Sequence, residues 1–192
     1  MKLLITGFEP FGGETVNPAW ETVQALPDQI GRWQLRKLRV PTVFGLAAQQ
    51  TVAFAEAEQV QAILCLGQAG GRKAVTPEMI AVNLRYAAIA DNAGSKPQDE
   101  PVVPDGPAAY FATMPVRKMA AAIQAAGLPG AVSCSAGTFV CNDLFYALLH
   151  HFASSCVQVG FIHVPYLPRQ GEPSLPLADM RLAVEQAVLA LD

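Results

Sequence analysis

The sequence predicts an α/β fold, a mostly parallel sheet with helices on both faces. Three observations carry this. Near-continuous apolar runs over Lys2–Thr6, Ala62–Leu66 and Val157–His163 read as strands buried on both sides. Segments with helical periodicity separate them, as at Val140, Leu144, Leu148 and Phe152. Gly, Pro and Asn cluster where one kind of segment gives way to the other, as in Gly7–Gly13 and Gly67–Arg72. Strands and helices that alternate along a chain form a layered sheet, and its sites gather at the carboxyl ends of the strands.

Each element has its own warrant. Lys2–Thr6 is a central strand that runs into Gly7-Phe8-Glu9-Pro10-Phe11-Gly12-Gly13, a loop with two aromatics among breakers. Asn17 caps a helix that reaches about Leu26, with Pro18 at its first position. Trp33–Val40 alternates and reads as a strand, and Phe44–Glu58, rich in Ala and Gln, as a helix. Ala62–Leu66 is a buried strand, and Glu78–Leu84 is extended. Asp91–Gly106, dense in Asp, Gly, Pro and Ser, reads as a long surface loop of the kind that often carries function. Val116–Ala126 is a helix ended by Gly127. Ala131–Cys134 reads as a strand that leads through a turn at Gly137-Thr138 into the helix holding Cys141. Val157–His163 is a strand stopped by Pro165, Pro168–Pro176 is a Pro-rich loop, and Leu177–Leu191 is an amphipathic helix. The loops after Thr6, Leu66, Ser135 and Ile162 therefore share the carboxyl edge of the sheet.

Bulk composition narrows the function. The 192 residues are 52% hydrophobic and 15% charged, enough to bury a core, and residues 1–192 read as one domain. A net charge of −3 without a long basic run argues against nucleic acid or an anionic membrane as partner. The four cysteines show neither CxxC pairing nor a dense disulfide pattern, and Met1–Ile5 is too short for a leader, so a reduced, cytoplasmic protein is expected. Gly67–Gly71 lacks both the dinucleotide and the Gly-Lys-Ser/Thr patterns, which counts against a nucleotide site.

The stretch Ser135–Asp143, SAGTFVCND, places Cys141 in the first turn of a helix. Free N–H groups and the helix dipole there favour an anion, so a thiol with a lowered pKa and a ready oxyanion site are expected. A thiolate nucleophile needs a base, and the base an orienting group. His150 and His151 lie roughly 13 Å along the same helix, at 1.5 Å per residue, out of reach. His163, at the end of an apolar strand, is the remaining histidine. For the third member, Glu78 opens an extended apolar segment after a Gly-rich loop; Asp143 and Asp91 are its rivals. Each of these residues also has a plainer reading: a buried small thiol, a satisfied core histidine, a solvated carboxylate.

Taken together, three long motifs resemble the pyroglutamyl peptidase I family, the pyrrolidone-carboxylate peptidases. They are Thr6–Gly13 with Asn17-Pro18; Gly67–Arg72 with Thr76-Pro77-Glu78 and Asn83; and Ser135–Asn142 with Phe161–Pro165. The resemblance runs over nearly the whole chain. It implies a three-layer α/β/α sandwich and a cysteine peptidase that removes N-terminal pyroglutamate, without metal or cofactor, assembled as a tetramer. It implies Cys141 as nucleophile, His163 as base and Glu78 as the residue orienting the base. It further implies that Phe8, Phe11, Phe139, Val140 and Ile89 line the lactam pocket, with Asn17 and Gln68 as its polar contacts. A flat, uncharged ring with one N–H and one carbonyl suits aromatic walls with a few placed polar groups.

The chain departs from the family at two places. Met79 stands where members usually carry Arg or Lys. Ala87-Ala88-Ile89-Ala90-Asp91-Asn92 replaces the common Ala-Arg-Ile-Pro-Asp-Asn, so an arginine is lost at Ala88, with Arg85 as a possible stand-in. These departures raise an alternative, a catalytically impaired relative that binds pyroglutamyl peptides. A phosphorylase-like enzyme on a similar sheet is a more distant rival, opposed by the weak phosphate loop.

Overall fold

The computed structural model describes residues 1–191. Eight strands and five helices follow one another as β1 (Lys2–Phe8), α1 (Pro18–Ala25), β2 (Gln29–Ile30), β3 (Trp33–Val40), α2 (Leu46–Glu58), β4 (Ala62–Gln68), β5 (Thr76–Pro77), β6 (Ile80–Val82), β7 (Ala109–Phe111), α3 (Val116–Ala125), α4 (Val140–His151), β8 (Gln158–Val164) and α5 (Leu177–Leu189). The main sheet has the order β2-β3-β1-β4-β8-β5. Its four long strands, β3, β1, β4 and β8, are parallel, and the short edge strands β2 and β5 are antiparallel.

Side-chain alternation along those strands builds the layers. Leu3, Ile5, Leu64, Leu66, Ile162 and Val164 face one core, shared with residues of α1, α3 and α5. Leu4, Ile63, Cys65, Val159 and Phe161 face the other, shared with α2 and α4. Helices therefore cover both faces, an α/β/α sandwich. Among the described residues no helix is long and apolar enough to cross a membrane.

Local chemistry sets several boundaries. The Asn17 side chain accepts from the Ala19 N–H at 3.0 Å and Pro18 begins α1, as the cap signals require. α2 starts at Leu46, two residues later than the composition predicts, because Gly45 has φ +71° and cannot continue a helix. Ala131–Cys134 is not a strand of the sheet. It runs along the outer edge beyond β5 with only isolated bridges, Val75 to Gly130 and Glu78 to Ser133. Pro77 and Pro129 lack the N–H groups that a continuous ladder needs. β6 pairs with β7 in a separate hairpin-like sheet. The stretch 91–106 is irregular, yet it is firmly tied down: Asp91 is buried and accepts from Phe44, Ala93 and Ser95 N–H groups, while Asn92 donates to Glu9 Oε1 and to the Pro10 carbonyl.

Candidate active site

The site is built where β4 and β8 end side by side. Gly67 and His163 are register partners across that ladder. On the other side of β8, Thr76 pairs with His163, and the Glu78 N–H donates to the Phe161 carbonyl at 2.8 Å. This backbone pairing delivers Glu78 to the ring of His163: Nδ1 and Glu78 Oε1 are 2.7 Å apart, with Glu78 fully buried and His163 4% exposed. Arg72 and His163 hold Glu78 ionised, and an ionised carboxylate only accepts, so Nδ1 carries the proton and Nε2 is left as the base.

The third side chain arrives from α4. Gly137, at φ +76°, turns the chain before the helix, and Cys141 is the second helical residue. A Cβ on Gly67 would lie 2.8 Å from Cys141 Sγ and equally close to the Phe161 ring. Only glycine leaves room for the thiol over the strand end, against Phe161, whose ring is 4.8 Å from that of His163. The start of α4 has no side-chain cap, so its first N–H groups are not claimed by a side chain.

Electrostatics correct one expectation. The helix start does not lower the Cys141 thiol: burial, then the charge of Glu78 and nearby Cys65, push it up to about 12, against opposition from Arg72 and its own N–H. Cys141 is half-buried as a residue, but its sulfur lies against Gly67 near the Phe161 ring, and desolvation of an anion outweighs the helix end there. Burial likewise lowers His163 most, with Arg72 adding to it and Glu78 opposing. For Glu78, burial is the largest influence and raises it. The hydrogen bond and charge of His163, the nearby Ser133 hydroxyl and the Arg72 guanidinium outweigh burial and hold Glu78 below the usual carboxylate range. The resting site thus pairs a neutral thiol with a neutral imidazole and one anionic carboxylate.

The rival acids are engaged elsewhere. Asp143 is fully buried, paired with Arg85 Nε at 2.5 Å and accepting from the Gly45 N–H at 2.7 Å. Asp91 organises its own turn. Arg85 therefore does not stand in for the arginine absent at Ala88, since its cation serves Asp143 and lies 6.0 Å over the Phe44 ring. Met79 follows Glu78 in an extended chain and points the other way, into a groove it shares with Pro115, Val116, Arg117 and Lys118.

Of the predicted pocket residues, the Phe11 and Phe139 rings meet at 5.9 Å, tilted by 40°, and Ile89, 49% exposed, reaches over Gly12. Phe8 and Val140 are buried in the core beneath. Gln68 Oε1 accepts from Gln170 Nε2 at 3.1 Å. Asn17 is 2% exposed, with Oδ1 on Ala19 N–H and Nδ2 donating to the Glu9 carbonyl, so its amide already has two partners. Sequence reasoning missed Phe44, which meets Phe139 edge-on at 5.3 Å. It also missed Asn142, whose amide is bonded to Val82 and Leu84, and Arg72, bonded to Glu78 Oε1 at 2.6 Å. The signals for Arg72 were its place at the end of the Gly67–Arg72 motif and a cation six residues before Glu78.

Comparisons with known proteins bear on the family and the fold. The family model described as pyroglutamyl peptidase matches residues 1–192. The pyrrolidone-carboxylate peptidase of Levilactobacillus brevis is 49% identical, with all of this chain and 97% of that protein aligned. The crystal structure of pyroglutamyl peptidase I from Bacillus amyloliquefaciens superposes with a TM-score of 0.95 at 42% identity, over 98% of this chain and 95% of that one. Pyrrolidone carboxyl peptidase from Thermococcus litoralis gives 0.94 at 36% identity, over 98% of this chain and 92% of that one.

Proposed function

Because this chain belongs to the pyroglutamyl peptidase family, we propose that it hydrolyses the amide bond after an N-terminal pyroglutamyl residue, with Cys141, His163 and Glu78 as its catalytic machinery. As the Cys141 sulfur attacks the pyroglutamyl carbonyl carbon, its proton passes to His163 Nε2, and Glu78 stabilises the imidazolium through Nδ1. The oxyanion is met by the N–H groups at the start of α4. The imidazolium then protonates the leaving amine, the C–N bond breaks, and a thioester remains. Water, deprotonated by His163, attacks that thioester, releases pyroglutamate and restores the thiol.

In this reading Phe8, Phe11, Phe139, Val140 and Ile89 form the lactam pocket, with Asn17 and Gln68 as its polar contacts. The carrying observation is the buried His163–Glu78 hydrogen bond beside the glycine over which the thiol lies. No observation favours an impaired binding protein. The deciding assay is release of a chromophore from a pyroglutamyl amide by wild-type protein and by Cys141→Ala: turnover by the first alone is expected, and turnover by neither would overturn the reading.

A cytoplasmic setting fits the four free thiols. A homo-oligomer, a tetramer by family resemblance, fits the exposed side chains of Leu46, Phe111 and Leu189, and sedimentation equilibrium tests it.

A further inference from the structure

Arg72 lies outside the residues assigned above, yet one guanidinium joins the carboxylate of the site to the loop that leads to its thiol. Nη1 donates to Glu78 Oε1 at 2.6 Å and to Thr76 Oγ1 at 2.5 Å, and Nη2 donates to the Ser135 carbonyl at 3.0 Å. Ser135 begins the turn that ends in Cys141. We propose that Arg72 is a positioning residue for this peptidase: it locks Glu78 Oε1 onto His163 and clamps the loop that carries the nucleophile to the same carboxylate.

The proposal rests on the acid–base assignment above and extends it. Glu78 is fully buried, and among the described residues its second oxygen, Oε2, has no hydrogen bond of good geometry, although the Ser133 hydroxyl lies near the carboxylate. With only a neutral imidazole and a nearby hydroxyl as partners, a buried carboxylate is free to turn Oε1 away from the ring. That rotation would cost His163 its orientation. Arg72 opposes it by placing a full charge and a second directed bond on the same oxygen that His163 uses. Its side chain is 28% exposed, and a solvated arginine that merely ties two loops is the competing view.

Charge separates the two views. The ionisable groups that meet at this point are Glu78 beyond β5, His163 on β8, Cys65 on β4 and Cys141 on α4, with Arg72 as the cation. The Arg72 charge pushes down Glu78, His163 and Cys141 alike. Its removal therefore raises His163, and the acid limb of kcat/KM, which requires neutral His163, moves to higher pH. A tie between loops would leave that limb in place.

The test is the pH profile of pyroglutamyl amide hydrolysis by Arg72→Met, Arg72→Lys and Arg72→Gln, alone and in Glu78→Gln. Arg72→Met should lower kcat about ten- to a hundredfold, the range of one charged hydrogen bond, with KM little changed and the acid limb moved upward. Arg72→Lys should restore the position of the limb. Arg72→Gln, which keeps a donor but no charge, should show the shifted limb even where Arg72→Met does not fold. In Glu78→Gln, Arg72→Met should cost little more, because the two act as a unit. Wild-type kcat and limb in Arg72→Met or Arg72→Gln, with Glu78→Gln impaired, would overturn the role of Arg72 alone. Wild-type rates in Glu78→Gln would overturn the acid assignment, and the Arg72 proposal with it.

Discussion

Glu78 and Asp143 are the same chemical device put to different uses. Each is a carboxylate with no exposed surface, and each is paired with a partly exposed arginine, Arg72 at 2.6 Å and Arg85 at 2.5 Å. They diverge at the second oxygen and the second partner. Asp143 gives Oδ1 to Arg85 and Oδ2 to the Gly45 N–H, so it is closed on itself and joins the start of α2 to α4. Glu78 shares Oε1 between Arg72 and His163, and among the described residues Oε2 has no hydrogen bond of good geometry, with only the Ser133 hydroxyl near the carboxylate. A saturated buried acid holds structure. An under-satisfied one beside an imidazole can respond to a change of charge on that ring.

The predictions test that contrast. The largest effect belongs to the group that the open acid serves: Cys141→Ala should lose turnover by roughly 10⁴-fold or more while unfolding at nearly the wild-type temperature. Cys141→Ser should be almost as inactive, and substantial turnover in either would remove the nucleophile from the scheme.

Next comes the direct exchange of the two acids. Glu78→Gln should lower kcat by about 10²–10⁴, since an amide cannot stabilise an imidazolium and invites the wrong tautomer. Asp143→Asn should lower kcat far less but destabilise the fold by about 2–4 kcal/mol, the buried-pair range discounted for the partial exposure of Arg85. Thermal unfolding and chromogenic kinetics on the two variants decide it; the reverse pattern would exchange their roles.

Selectivity is a smaller effect. A prolyl amide has the shape of the substrate but lacks the lactam carbonyl, so it should leave one polar group of the pocket unpaired at about 1–3 kcal/mol, or roughly five- to hundredfold in kcat/KM. Gln68→Ala should narrow that gap. Asn17→Ala should also reduce stability by about 1 kcal/mol, because it removes the cap of α1. Equal kcat/KM for prolyl and pyroglutamyl amides in the wild-type protein would empty the pocket assignment of content.

The smallest effect is on stability against pH. His163 is lowered in the fold by burial, so below its unfolded value of about 6.5 the unfolded chain binds a proton that the folded chain does not, and stability falls as pH falls. Glu78 is lowered too, so its contribution is present above the unfolded carboxylate value and is lost as pH drops through the folded one. Both act in the same direction. Melting temperature should decline from about pH 6.5 downward, and His163→Gln should flatten the decline between about pH 5 and 6.5. An unchanged slope in that variant would detach His163 from it.

Much of this molecule follows from the order of its residues alone. The apolar runs of β1, β4 and β8 and the periodicity of the helices specify a layered sheet, because burial of alternating faces is a local property of the chain. Asn17-Pro18 starts α1 where local cap chemistry says it must. Cys141, His163 and Glu78 stand out by residue type and neighbours. Other features depend on partners distant in sequence. Ala131–Cys134 has the look of a strand, but two prolines at its edge deny it a ladder. The thiol should be acidic by its helix position, and burial reverses that. Among three candidate acids, the β5–β8 pairing brings Glu78 to His163, while Arg85, 58 residues before Asp143 in the chain, occupies the rival. Arg72 is one cation among thirteen Lys and Arg until the fold sets its guanidinium against the buried carboxylate and the nucleophile's loop. Residue type sets what a side chain can do; desolvation and the identity of the nearest charge, both products of tertiary packing, decide which of those things it does.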